Sequence, residues 1–150
     1  MKKIVLLCLT LFLASASLQA QYVYPERFED NCYLDEFEYE STEIIAKLDE
    51  SVLIETITQG WSEKMIKGAE GNLGMQILVD ERGRSCLVSV RNDTNLKLKK
   101  LNLIENVGQL KWNRLSEKIS AIVVFVFEEG EIQVKRLGTT DQKTLTEINP

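Results

Sequence analysis

The sequence predicts an α+β fold, an antiparallel sheet of three to four strands with helices packed on one face. Three observations predict it. Leu73, Met75, Ile77 and Val79 alternate strictly into an Asp80–Gly83 turn, and the apolar return run after it completes a hairpin. Leu103, Ile104, Val107 and Leu110 recur at helical spacing. Ile119 to Phe127 is apolar on both faces, the pattern of a strand covered on two sides, and a Glu129-Gly130 turn leads into a further strand.

The chain has 150 residues. Its first twenty carry Lys2 and Lys3, an apolar run from Ile4 to Leu13, and a small, polar stretch ending at Ala20. This is the pattern of a secretory signal peptide cleaved before Gln21, and it predicts a periplasmic or secreted protein. The apolar run rises only about 15 Å as a helix, half of what a membrane span needs. Cys8 follows Leu7 inside that run, which argues against a lipoprotein. What remains is enough for one domain. Three parts are expected in it: an acidic aromatic segment over 21–40, a single α+β domain over 41–137, and a polar tail over 138–150 that frays.

Residues 21–50 hold ten acids against Arg27 and Lys47, and 21–40 hold six aromatics. Acidic disordered tails lack aromatics, so this segment is expected to dock, on its own domain or on a partner protein. The basic run Arg82, Arg84, Arg91, Lys97, Lys99 and Lys100 is the expected surface for self-docking. Cys32 and Cys86 are the two cysteines outside the leader, and in an oxidising compartment they are expected to pair.

Ser41 or Thr42 caps an expected helix over 41–59, although the β-branched half from Val52 to Thr58 also reads as a strand. A short helix follows over 62–67. The hairpin then spans 71–91, with Gly83 in the left-handed conformation and a bulge near Ser85. Val88 and Val90 are expected to share a face. Asp93, Thr94 and Asn95 offer caps for a helix from Leu96 to Lys111, closed by Trp112. The last strand is marked by Ile132, Val134 and Leu137.

The composition excludes several functions. Charged residues make up 27%, and the formal charge of −5 falls to −7 once Lys2 and Lys3 leave, which opposes nucleic-acid binding. There is no histidine, and so no His-based triad and no usual zinc ligand. The adjacent acids Asp35/Glu36 and Glu128/Glu129 face opposite ways in a strand, and Cys86 has no histidine to activate it. A non-enzymatic protein without catalytic residues, cofactor or metal is expected.

Glu70-Gly71, the run LGMQILVDERGR from Leu73 to Arg84, Val88, Val90, Lys111-Trp112 and a strand ending at Phe127 together resemble the C-terminal domain of TonB-type energy transducers. The similarity covers residues 61–128. Trp61-Ser62 stands where that family has Tyr-Pro, and Arg114 where it has a proline. The resemblance implies a TonB C-terminal domain-like fold without the membrane anchor and Pro-rich spacer. It also implies strand pairing with an envelope protein, in that family an outer-membrane receptor, and transmembrane transport as the process served. The partner-binding candidates are Val123, Phe125 and Phe127, with Ile132 and Val134 on the strand expected to cover their edge. A partner then displaces 131–137 or uses another edge; alternatively 131–137 is a permanent fourth strand. The competing reading is a small secreted inhibitor or envelope structural protein that acts through the acidic segment.

Overall fold

The computed structural model describes residues 21–149. The expected signal peptide lies outside the described residues. The fold is α+β, with a mostly antiparallel sheet. Its strands are β1 (Glu26–Arg27), β2 (Glu38–Tyr39), β3 (Gly71–Val79), β4 (Ser85–Thr94), β5 (Ile119–Glu128), β6 (Glu131–Gly138) and β7 (Thr146–Ile148). The order is β1-β4-β3-β5-β6-β7, with β2 parallel to β5.

Among the described residues the sheet therefore has seven strands, and the expectation of three to four is corrected. The four long strands are the expected ones. The three short ones come from the acidic segment and the tail, where they pair main-chain groups along outer strands and at the start of β5. The tail is not frayed as expected, because β7 pairs with β6 through Arg136↔Ile148 and Gly138↔Thr146. The Asp141 carboxylate accepts from the amides of Thr144 and Lys143, which hold its pKa well below the usual range and tie the connecting loop.

The helices are shorter than the sequence suggests. α1 is Glu50–Ile57, capped by Asp49 rather than by Ser41 or Thr42. Residues 41–49 stay non-helical because side chains take their amides: Glu40 Oε1 accepts from Ile45 and Ala46, and Asn113 Oδ1 accepts from Lys47. α2 is Glu63–Lys67, the short helix expected over 62–67, with Ser62 as its cap. In place of one helix over 96–111 there is a 3-10 turn at Leu98–Lys100 and α3 at Leu103–Gln109, separated by Asn102 at φ 51°. Asp93 and Thr94 lie in β4 instead of capping a helix. Trp112 leaves the helix and donates its amide to Gly83 of the hairpin turn at 2.9 Å. Gly83 has φ +79°, and a Cβ there would meet Trp112 O at 2.3 Å.

One face of the sheet packs on the helices. Leu73, Met75, Ile77 and Val79 lie there with Val123, Phe125 and Phe127 against Leu53, Ile57 and Val107. Each fully buried side chain of this size contributes about 1.5–3 kcal/mol. Gln76 pairs with Ser89 and Ile77 with Leu87, so the bulge falls at Val88 rather than near Ser85. Leu87 and Val90, not Val88 and Val90, therefore share the core face, since one extra residue inverts an alternating pattern.

The acidic segment docks on the other face, by main-chain recognition. Gln76 Oε1 accepts from Val23 N at 2.9 Å, and Gln76 Nε2 donates to Gln21 O at 2.8 Å. Ser89 Oγ accepts from Tyr24 N and donates to Gln76 Oε1; Gln76 Nε2 also donates to Ser120 Oγ. The Tyr24 ring lies where a side chain at position 74 would stand, 2.7 Å from the site of a Cβ on Gly74. Cys32 and Cys86 form a disulfide with Cα atoms 5.7 Å apart. The basic run from Arg82 to Lys100 does not take the segment's ion pairs. Arg84 pairs with Asp80 and Arg91 with Asp93, while Asp35 pairs with Lys118 and Glu40 with Arg136.

Burial raises the Tyr24 phenol to about 12, with Arg91 opposing and Asp93 adding to the shift. A phenol harder to ionise in the folded state withdraws stability as pH rises from its ordinary value of 10 through 12. The full loss is about 2–3 kcal/mol. Urea midpoints at pH 9 and pH 11.5 should show this fall in the wild type and a smaller one in Tyr24→Phe. Equal falls in both proteins would remove Tyr24 from the account.

Candidate peptide-binding edge

β5 is central. Ile119–Phe127 pairs with β3 on one side, and β6 covers Ile122–Glu128 on the other. β2 takes the remaining stretch at Ile119 and Ser120. Val123, Phe125 and Phe127 are at most 3% exposed inside the core. Among the described residues β5 thus presents no free edge from Ile122 to Phe127, and the structure does not bring these three side chains to a partner surface.

Ile132 and Val134 sit on β6, opposite Phe127 and Phe125. They are half-buried against the core. Glu129 and Gly130, both at positive φ, turn the chain tightly from β5 into β6, as a two-residue hairpin loop requires. β7 covers the outer side of β6 only at Arg136–Gly138. Among the described residues, no strand pairs with the outer edge of β6 from Glu131 to Lys135. A groove of about 560 Å³ opens beside it, between the β6–β7 ends and residues 43–53. Ile44, Leu48, Leu53, Val134 and Ile148 give it an apolar lining, and Lys47, Lys135, Glu43 and Glu147 give it charge of both signs.

An ion pair that sequence reasoning missed anchors this edge. Glu40 Oε2 accepts from Arg136 Nη2 at 2.5 Å, with side-chain exposures of 0% and 10%. Arg136 Nη1 donates to Ala46 O at 3.0 Å, and the guanidinium lies 5.6 Å from the centre of the Trp112 ring. Thr139 N donates to Glu40 O at 2.8 Å, so the residue that holds the 45–46 turn also holds the end of β6. In the sequence Glu40 is one of ten acids in thirty residues, and nothing there marks it as the buried one.

Among the described residues there is no group of three or more His, Cys, Asp or Glu arranged to hold a metal ion, and no helix is long and apolar enough to cross a membrane. Cys86 is committed to the disulfide. No family model matches the chain, and neither a curated protein nor a solved structure does.

Proposed function

We propose that the chain is an exported, non-catalytic interaction module of the cell envelope. It takes an extended segment of a partner protein as an added strand on β6, in the manner of the TonB C-terminal domain that it resembles. The observation that carries this reading is the unpaired outer edge of β6 beside an apolar groove. Main-chain groups of 131–135 supply the pairing, and the groove receives alternate side chains of the added segment. Export is supported by the leader pattern of residues 1–20 and by the Cys32–Cys86 bridge. The partner is an envelope protein, an outer-membrane receptor being the one the resemblance implies. A net negative chain does not suit nucleic acid.

The test is capture of a partner from envelope extract by the chain from Gln21 onward, followed by amide exchange on the complex. Protection confined to 131–135 and the groove residues is expected. The second reading, an inhibitor or envelope structural protein that acts through its acidic segment, rests on Tyr33, 78% exposed in that segment. Protection over 26–37 with β6 unchanged would decide for it and against strand addition.

A further inference from the structure

We propose that the free edge of β6 is self-complementary, and that two copies of this chain pair there in a two-fold symmetric, continuous sheet. Glu131, Gln133 and Lys135 alternate with Ile132 and Val134, and the latter two face the core. In an antiparallel pairing centred on Gln133, Glu131 stands opposite Lys135 of the second copy, and Lys135 opposite its Glu131. Ile132 stands opposite Val134, again twice, and the two Gln133 amides meet on the axis. Every opposed pair is thus favourable: two opposite-charge pairs on one face and two apolar pairs on the core face.

An isologous contact needs this kind of sequence, in which a residue and its symmetry mate complement each other. Charged side chains protect an edge strand where they would stand opposite their own kind in the new pair. β6 carries the reverse arrangement. The length also fits: β7 ends at Ile148 opposite Arg136, and among the described residues no strand pairs with 131–135 on that side, although Asn149, which lines the groove with Lys135, must turn aside to admit Glu131 of the second copy. Lys135 already meets Glu147 at 3.1 Å, but both side chains are more than 40% exposed and that pair is readily exchanged. The dimer goes beyond the peptide reading, since it caps the same edge, so a partner strand and the second copy compete for it.

Light scattering on the chain from Gln21 onward, over a wide concentration range, tests this. The wild type should show a monomer–dimer equilibrium. Glu131→Lys places lysine opposite lysine at both ends, and Lys135→Glu places glutamate opposite glutamate. Each should weaken dimerisation about tenfold or more. The double variant Glu131→Lys, Lys135→Glu exchanges the signs and should restore it. Circular dichroism establishes that the single variants fold. A wild type that stays monomeric, folded single variants that dimerise as well as wild type, or a double variant no better than the singles each overturns the proposal. Run at a concentration where light scattering shows monomer alone, amide exchange on the partner complex reads the partner strand without the second copy, so the two readings fail separately.

Discussion

Glu40→Ala is expected to destabilise the protein by about 3–5 kcal/mol, the range for breaking a buried ion pair from one side. That is a large share of the 5–15 kcal/mol by which domains of this size are held folded. The variant leaves Arg136 buried without its counter-ion and removes the acceptor of the Ile45 and Ala46 amides. Arg136→Met should cost less, because Glu40 keeps those two amide donors. Urea unfolding monitored by tryptophan fluorescence reports both, since Trp112 lies under the guanidinium. A Glu40→Ala loss below about 1 kcal/mol would mean that the pair does not anchor the β6 edge. In the milder variant, amide exchange should quicken first at residues 136–139, where the Arg136 contacts are lost, while 45 and 46 stay held by Glu40.

Removing the disulfide should cost about 4 kcal/mol by loop-closure entropy. The bridge spans 54 positions, so the unfolded chain regains much freedom without it. Cys32→Ser with Cys86→Ser avoids a stray thiol and is the variant to measure. Its effect on the folded state should be local. Residues 21–24 remain held by Gln76 and Ser89, and 38–40 by β5 and Arg136, so exchange should quicken between 26 and 35. A urea midpoint equal to that of the wild type would show that the bridge contributes nothing. Protection lost throughout 21–40 would show that the Gln76 contacts depend on the bridge.

The hairpin was legible in the sequence, because Leu73, Met75, Ile77 and Val79 alternate and Gly83 permits the turn. So was much of the burial of Ile119–Phe127, complete on the core face and partial at Val124 and Val126 on the other. The helices were overextended for one reason. Ser41, Thr42, Asp93 and Thr94 are good caps in isolation, but strand pairing or distant side chains claim the backbone around them. Glu40 and Asn113 bind amides in 45–47, and β4 runs on to Thr94. The bulge was expected near Ser85 and lies at Val88, since alternation reveals a change of phase more readily than the residue that absorbs it.

The candidate edge was half legible. Ile132 and Val134 were read from alternation, and the hairpin that places β6 beside β5 from the Glu129-Gly130 turn. That β7 stops opposite Arg136 and, among the described residues, leaves 131–135 unpaired on its outer side depends on pairing between residues 136–138 and 146–148. The main-chain recognition by Gln76 and Ser89 joins positions more than fifty residues apart.

By itself, then, the sequence determined the α+β class, the four long strands, the turn at Gly83 and the availability of Cys32 and Cys86 for pairing. These follow from periodicity, backbone freedom at glycine and residue type, which act over a few neighbouring residues. Only the tertiary structure decided that Glu40 is buried against Arg136, that Gln76 holds the acidic segment, and that among the described residues no strand covers the outer edge of β6 over 131–135. The physical reason is that a polar group's burial and a strand's neighbours depend on which distant donors and acceptors reach it.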